Sequence, residues 1–496
     1  MPQEEIVNLA LRRSIFYPSA DIYPNAPSGF WDFGPVGESL RRKIIELWRK
    51  ELVQKENMLE IYGAQIMPEA VFKASGHLEN FDDPIVQCLK CHSHFRADKL
   101  IEEKTKESLP ESMADEKFTE LIEKNNIKCT KCKGVLGKVK RFNMMMKTEI
   151  GATGQNPCYL RPETCQSIFL DFSRLYKTMR LNLPFGIAQA GTSFRNEISP
   201  RQSLIREREI GQFEAEIFFN PDKINEVENF DDVENYKINL MLIGKKMNPI
   251  SCKDAVSKKI VSGKLVAYYI TRVQQLFEKY GIPVKAMRFR ELAKEARAFY
   301  AKETWDFEVE TDLGWIELMA CNYRTDYDLK SHSKESKKDL SVNEDGKKFI
   351  PHVFELSAGI DRTLYVVLDH GFRKEKRGPE ERTYLKLPAR VAPFFVAVFP
   401  LVKKDGLKEK AESLYKELSD FEFDAFFDDK GSIGKRYARA DEIGTPYAIT
   451  LDYDTLEKGT VTLRERDSME QKRIKIQELP ETLWKLKIGK AEYKTL

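Results

Sequence analysis

The stretch Phe194-Arg-Asn-Glu-Ile-Ser-Pro-Arg201-Gln-Ser-Leu-Ile-Arg206-Glu-Arg-Glu-Ile210-Gly-Gln-Phe-Glu214-Ala-Glu216 sets charged residues at both ends around a turn-like centre, Ser199-Pro200-Arg201-Gln202. Both flanks read as strands, so the segment is a β-hairpin with an arginine-laden loop. Such a hairpin can set the Arg195 guanidinium on a phosphate and the Glu197 carboxylate near an adenine amino group. Arginine suits the phosphate because its planar fork stays charged and binds oxygens in pairs. The alternative is an exposed hairpin whose charges pair with one another.

Working downstream, Phe354-Glu355-Leu-Ser357-Ala-Gly359-Ile-Asp361-Arg362 precedes the apolar run Leu364 to Leu368. It reads as a strand, a tight Gly turn and a helix beginning near Asp361. Arg362 in the first helical turn stands where the dipole and free N–H groups already favour an anion. The alternative is a solvated arginine beside a helix cap. The chain has no G-x-x-x-x-G-K-[ST] phosphate loop, since Gly431-Ser-Ile-Gly434-Lys435 is too short for one.

Size and composition bound the rest. The 496 residues suit two or three domains, and 42% hydrophobic with 32% charged residues suits a soluble globular protein. The 81 Lys and Arg nearly balance the 78 Asp and Glu, for a net charge of +3, so nucleic acid must be met by local basic patches. The longest apolar run, Val391 to Val402, is broken by Pro393 and Pro400 and is too short to span a bilayer. Met1 to Arg13 lacks the apolar core of an export signal, and eight cysteines make no disulfide framework. The expected location is cytoplasmic, with no membrane partner.

Four regions emerge from the pattern. Residues 1–87 hold a helix, a Gly/Pro turn at Gly34 and Gly37, a long helix over Glu38 to Glu56, and a strand from Leu59 to Met67. Residues 88–141 are Cys-rich, with Asp98 to Lys128 expected to be helical and exposed. Residues 142–388 should form a mostly antiparallel sheet, with a helical insertion around 221–300 that includes the helix Leu265 to Tyr280. Within them, Lys330 to Lys348 reads as a mobile surface loop. Residues 389–496 should form a separate α/β domain, with strands at Phe394–Phe399, Phe423–Phe427, Tyr447–Leu451 and Val461–Leu463 and a helix at Leu407–Leu418.

Taken together, the hairpin and the Gly-x-Asp-Arg helix start resemble motifs 2 and 3 of class II aminoacyl-tRNA synthetases. Within that class the chain resembles the homodimeric glycyl-tRNA synthetases. The runs that carry this are Trp31-Asp-Phe-Gly-Pro-Val-Gly37, Arg161-Pro-Glu-Thr164, Phe194 to Arg201, Arg324-Thr-Asp-Tyr-Asp-Leu329, Gly431-Ser-Ile-Gly434 and Ala440-Asp-Glu-Ile-Gly-Thr-Pro446. They span about Phe30 to Met469. The resemblance implies an α+β fold: a class II catalytic domain with an antiparallel sheet flanked by helices, and a C-terminal α/β anticodon-binding domain. The implied reaction joins glycine to tRNA(Gly) with ATP and Mg2+, in a homodimer built on motif 1, the run ending at Pro68. A non-catalytic paralogue is disfavoured because the motif arginines and acidic residues are all present.

The resemblance also assigns residues. Glycine is expected among Glu163, Glu214, Glu355 and Ser357, with Arg324 and Arg96 close by. ATP is expected on Arg195, Asn196, Glu197, Arg206, Glu207, Ile210, Glu317, Leu318, Gly359 and Arg362, with Arg195 and Arg362 catalytic and Glu317 toward Mg2+. Acids suit a substrate that offers only an ammonium, a carboxylate and two small hydrogens. The family usually has Phe where this chain has Ile210; either Ile210 packs on adenine aliphatically or the strand bulges to bring Phe213 across. Cys165 and Ser167 replace the common Ala and Gly.

Two further clusters stand apart. Cys88-x-x-Cys91 and Cys129-x-x-Cys132 flank a 37-residue gap and are spaced like a zinc ribbon. They read either as a structural Zn2+ site, in which His92 or His94 can replace a thiolate, or as four reduced cysteines. From Arg390 to Leu496 there are 20 basic and 20 acidic residues, but Lys430, Lys435, Arg436 and Arg439 gather around Gly431 and Gly434. That cluster reads as a phosphate contact or as a solvated loop.

Overall fold

The computed structural model describes residues 2–106, 109, 113–152, 154, 156–198, 200, 203–377 and 380–496. Most of the expected turn Ser199 to Gln202 lies outside these residues. Nine strands form the central sheet: β1 (Leu59–Glu60), β2 (Phe185–Phe194), β3 (Glu209–Phe219), β4 (Lys237–Met241), β5 (Asn248–Ser251), β6 (Met287–Glu291), β7 (Glu303–Thr311), β8 (Gly314–Thr325) and β9 (His352–Gly359). Their order is β5-β4-β6-β7-β8-β9-β3-β2-β1. Only β2–β1 and β4–β6 pair in parallel.

Strand β3 shows why the sheet needs two cores. It alternates with period two, and nearly all of it is buried. Phe213, Ala215 and Ile217 face one apolar layer shared with α1 (Pro35–Trp48), α3 (Lys264–Lys279) and α4 (Ile360–Gly371). Phe213 stacks on Trp48 of α1, ring centroids 4.8 Å apart, a contact of about 1 kcal/mol beyond its area. Ile210, Gln212, Glu214, Glu216 and Phe218 take the other face. Phe218 packs there with Phe169 and Phe172 of α2 (Cys165–Thr178). The polar residues of that face form a buried polar patch with Glu355 and Asn322 of the neighbouring strands.

Several expectations change. The region 221–300 is not a helical insertion: β4, β5 and β6 extend the catalytic sheet, and α3 covers them. Lys330 to Lys348 is ordered as the end of the helix Tyr327–Ser336 and a hairpin of Val342–Glu344 with Lys347–Phe349, anchored by buried Leu329, Leu340 and Val342. The strand expected over Leu59 to Met67 is two short ones; Ile66–Pro68 pairs with Asn156–Leu160 in a separate sheet. The Cys-rich region grows from a sheet of Asp82–Cys88, His94–Arg96 and Leu136–Asn143. Its helices Ala97–Thr105 and Asp115–Lys124 are only half exposed, because Leu100, Ile101, Phe118 and Ile122 close a small core.

The C-terminal domain is an α/β unit. Strands β10 (Val396–Pro400), β11 (Ala425–Phe427), β12 (Tyr447–Leu451), β13 (Thr460–Glu465) and β14 (Gln471–Lys475) run in the order β11-β10-β12-β13-β14. Its seat on the rest of the chain is ionic. Asp441 accepts from Arg382 at 2.9 and 3.1 Å and from Arg464 at 2.8 and 2.9 Å. Arg466 donates to the Leu387 carbonyl at 3.0 Å.

Candidate active site

Strand register gathers the acids. Glu214 lies opposite Ser357, Glu216 opposite Glu355, and Glu355 opposite Asn322. Directly opposed residues hold their Cβ atoms about 5 Å apart, so residues distant in sequence share one patch of sheet. Glu163 and Cys165 come from the start of α2. One oxygen each of Glu163, Glu214 and Glu355 and the Cys165 Sγ lie within 4.8 Å of one another.

Hydrogen bonds fix these carboxylates. Glu214 accepts from Thr164 Oγ1 at 2.5 Å, Gln212 Nε2 at 2.8 Å and Ser357 Oγ at 2.9 Å. Glu355 accepts from Asn322 Nδ2 at 2.5 Å and from Arg324. Arg324 also forms a bidentate pair with Asp328 at 2.6 and 2.7 Å, and its guanidinium stacks 3.8 Å from the Tyr300 ring centroid.

Charge is crowded here. Burial and the charges of Glu163 and Glu355 push the Glu214 carboxyl up to about 8. Burial also raises Glu355 despite Arg324, and raises Glu216 well above the carboxylate range. Glu163 goes the other way: burial opposes it, but the His77 hydrogen bond and the charges of His77, Arg324 and Arg195 hold it low. Glu163 is thus held toward its charged form, and Glu214, Glu216 and Glu355 toward their neutral forms. Neither oxygen of Glu216 has a hydrogen-bond partner among the described residues. Sequence reading passed over Glu216, although its position two residues beyond Glu214 on a strand was the available signal.

The second half of the cleft is basic. Arg195, just beyond β2, donates to the Pro162 carbonyl at 3.2 Å, lies over Phe81 and reaches Glu163 at 3.8 Å. The Asn196 amide donates to the Met144 carbonyl at 2.8 Å. Arg362 opens α4, with Gly359 as N-cap, and donates to the carbonyls of Ile205 at 2.9 Å and Glu317 at 3.1 Å. Burial lowers the Arg362 pKa against the charge of Glu317, and the charge of Arg195 lowers it further. Glu197 accepts from Arg206 Nε at 2.6 Å. Glu207 is buried, and its carboxyl is raised well above its ordinary value by burial and Asp361. Gly211 holds the hairpin against α4: its amide donates to Asp361, and a Cβ there would lie 2.5 Å from Arg41 Nη2.

Ile210 keeps its place. The β2–β3 register runs unbroken from Phe185↔Phe218 to Phe194↔Glu209, with Ser193 opposite Ile210. No bulge brings Phe213 across, and Phe213 is committed to Trp48. The described contacts of Arg96 are with Asp83 at 2.7 Å and with Asp98 at 2.5 and 2.9 Å; Asp83 also receives Arg206 at 3.4 Å. Through these contacts Arg96 stands at the root of the Cys-rich region.

A carboxylate that sequence reading missed is Asp306. It lies opposite Ala320, which in turn lies opposite Ser357, so register puts it on the cleft face. Burial and the charge of Glu317 push it up to about 8, against Arg290, which binds it at 2.8 Å. The register shift between Phe307 and Glu308 pairs Glu308 with Glu317, leaves Leu318 as the extra, buried residue of a bulge and keeps Glu317 exposed beside Asp306.

The four cysteines converge. Cys88 and Cys132 Sγ are 3.5 Å apart, and Cys91 and Cys129 Sγ are 3.6 Å apart. Tetrahedral zinc with Zn–S of about 2.3 Å sets sulfur–sulfur edges near 3.8 Å, so this quartet fits the ion, complete without His92 or His94. Gly134 makes the knuckle possible, since a Cβ there would sit 2.8 Å from Lys90 Cβ and 3.1 Å from Cys88 Sγ. In the C-terminal cluster, Arg436 is buried on the carbonyls of Pro400 and Gly431, and Arg439 is paired with Asp428 at 2.5 and 2.8 Å. Lys430 and Lys435 alone remain exposed there.

Comparison with known proteins agrees with this geometry. Residues 147–371 match the tRNA synthetase class II core domain (G, H, P, S and T), and residues 395–486 match the anticodon binding domain. Glycine--tRNA ligase from Thermococcus gammatolerans is 38% identical over 98% of this chain and 98% of its own length. The enzymes of the same name from Methanothermobacter thermautotrophicus and Methanocaldococcus jannaschii are 37% and 38% identical, over 98% and 97% of this chain and 99% and 98% of their own lengths. A solved structure described as the RNA binding domain of threonyl-tRNA synthetase from Cryptosporidium parvum superposes with a TM-score of 0.60 at 16% identity, covering 97% of this chain and 98% of that one, which shows a shared fold. The chain belongs to the glycine–tRNA ligases, a family of class II aminoacyl-tRNA synthetases.

Proposed function

We propose that the acidic cavity of Glu163, Glu214, Glu355 and Ser357 takes the glycine ammonium, and that Arg195 and Arg362 take the triphosphate of ATP. One observation carries this reading: three carboxylates lie within 4.8 Å of one another, with Arg195 3.8 Å from one of them and Arg362 in the first turn of α4. A zwitterion with a small ammonium suits the crowded acids, and a polyphosphate suits the arginines. The glycine carboxylate oxygen attacks the α-phosphorus; the bond to pyrophosphate breaks and glycyl-adenylate forms. A ribose hydroxyl of tRNA(Gly) then attacks the carbonyl carbon and AMP leaves. Positioning and charge neutralisation supply the rate, with no covalent enzyme intermediate. Arg206 and Glu197 pair with each other in the free protein, so ATP must exchange that contact for the outer phosphates and the adenine. Ile210 offers the adenine an aliphatic platform, with Asn196, Glu207, Leu318 and Gly359 shaping the site. Asp306 and Glu317 are the carboxylates suited to Mg2+, which would neutralise phosphate charge.

The cysteine quartet suits a structural Zn2+. Around it, residues 88–96 and 128–141 carry Lys90, Lys128, Lys131, Lys133, Lys138 and Lys140, all exposed, and no Asp or Glu. That basic tip is suited to tRNA phosphates. Exposed Tyr62 and Ile66 beside motif 1 support a homodimer, which light scattering tests. Eight unpaired cysteines favour the reducing cytoplasm.

The test is ATP–pyrophosphate exchange with glycine against alanine, serine and proline. Glycine alone should support exchange, and Arg195→Ala should lower it by roughly a thousandfold while the thermal melt is kept. Near-normal exchange in that variant sinks the arginine assignment.

A further inference from the structure

His77 is a buried residue to which neither the cavity nor the arginine cleft gives a role. Gly76, at φ 81°, turns the chain into the short helix His77–Asn80, and the ring is held between Phe72 and Phe81. Its Nδ1 lies 2.7 Å from Ser75 Oγ, and its Nε2 lies 3.3 Å from Glu163 Oε2. A carboxylate only accepts, so the hydrogen is on Nε2 and points at Glu163. The second oxygen, Oε1, faces Arg195 at 3.8 Å.

We propose that His77 is a positioning residue for glycine, steering Glu163 into the ammonium subsite. The role follows from where Glu163 sits. Cys165 Sγ is 3.5 Å from the same Oε2, so this oxygen belongs to the cavity quartet. Without the imidazole, Glu163 Oε2 loses its ring donor and is free to leave the quartet. The cavity would then lose the one acid there that is held low, since Glu214 and Glu355 are both pushed up.

The inference rests on the glycine reading of the cavity, and the experiment separates the two. Exchange kinetics are measured for His77→Ala, His77→Gln, His77→Asn and Glu163→Gln, with circular dichroism as a fold check. Loss of a hydrogen bond to a charged group should raise the glycine KM about tenfold or more in His77→Ala, with kcat and the ATP KM within about threefold. Gln can place its amide where Nε2 was and should recover most of the glycine KM. Asn mimics the Nδ1 side and should not. An unmoved glycine KM in His77→Ala, or an equal loss in every kinetic constant, overturns the proposal. Should His77→Ala fail to fold, the pair Gln and Asn decides, and equal behaviour of the two overturns it. A normal glycine KM in Glu163→Gln overturns the cavity reading itself. A raised one beside a silent His77→Ala overturns only the role of His77.

Discussion

Cys88, Cys91, Cys129 and Cys132 at the tip of the Cys-rich region, and Glu163, Cys165, Glu214 and Glu355 in the cleft, each bring four candidate ligand atoms within 4.8 Å. They are built in opposite ways. The sulfurs come from two tight knuckles, each closed by local backbone hydrogen bonds such as His92 N to Cys88 O and Lys133 N to Cys129 O. The carboxylates come from two strands and a helix start, and meet only because the sheet register brings them together. Soft thiolates ringed by lysines, with no Asp or Glu in residues 88–96 and 128–141, suit zinc, whereas hard carboxylates backed by a buried arginine suit a hydrogen-bonding ammonium. Equal spacing therefore does not mean equal ligand; the second ring of residues decides.

The comparison breaks most sharply at Glu355. Glu355→Gln removes a charge from the cavity and one carboxylate from Arg324. Glycine-dependent exchange should fall by roughly a hundredfold or more, and stability by about 2 kcal/mol, read from a chemical melt. Little change in exchange would mean that the quartet is only structural. The matching change at the tip is Cys129→Ser. It should abolish bound zinc by elemental analysis, leave exchange within about threefold, and raise the tRNA KM about tenfold through the disordered basic tip. If exchange instead falls as steeply as with Glu355→Gln, the two quartets are not separable.

How far each quartet was legible follows from its construction. The Cys-x-x-Cys pairs announce themselves because knuckles are local. The hairpin and the helix start at Asp361 were legible for the same reason. Glu163, Glu214 and Glu355 are nearly two hundred residues apart at their extremes, and composition has no view of register; only resemblance to a family joined them. Asp306 gave no signal at all, because a bulge at Phe307/Glu308 sets its neighbour. The segment 330–348 misled through its polar surface, while the few apolar anchors that order it are sparse. Arg436 and Arg439 misled because a count of charges says nothing about internal partners.

A smaller effect tests the raised Glu214 carboxyl. The Glu214 carboxyl is pushed from near 4.5 up to about 8 by burial and neighbouring charge. The folded chain therefore holds a proton that the unfolded chain releases. The stability this proton contributes is full below about pH 4.5 and is lost as pH rises through 8. The ligand-free melting temperature should fall from pH 5 to 8, and less so in Glu214→Gln, which mimics the neutral acid. Ammonium prefers the ionised form, so glycine affinity should rise over the same interval, by at most about tenfold per pH unit. Identical pH slopes in the two proteins would remove Glu214 from the argument.

The smallest effect concerns Ile210, on the side of the site proposed for ATP. Because the β2–β3 register is unbroken, a side chain at 210 faces the cleft with Gln212 and Glu214, and Phe213 cannot substitute. Ile210→Phe would restore an aromatic face without a change of strand geometry. Stacking on a base exceeds aliphatic contact by a fraction of the roughly 1–3 kcal/mol that a whole aromatic platform is worth, so the ATP KM should fall about threefold. The glycine KM should stay put, since position 210 lies two strand steps from Glu214. A fall in both constants would mean that the two halves of the site are coupled through β3. An unchanged ATP KM would mean that adenine does not lie on residue 210.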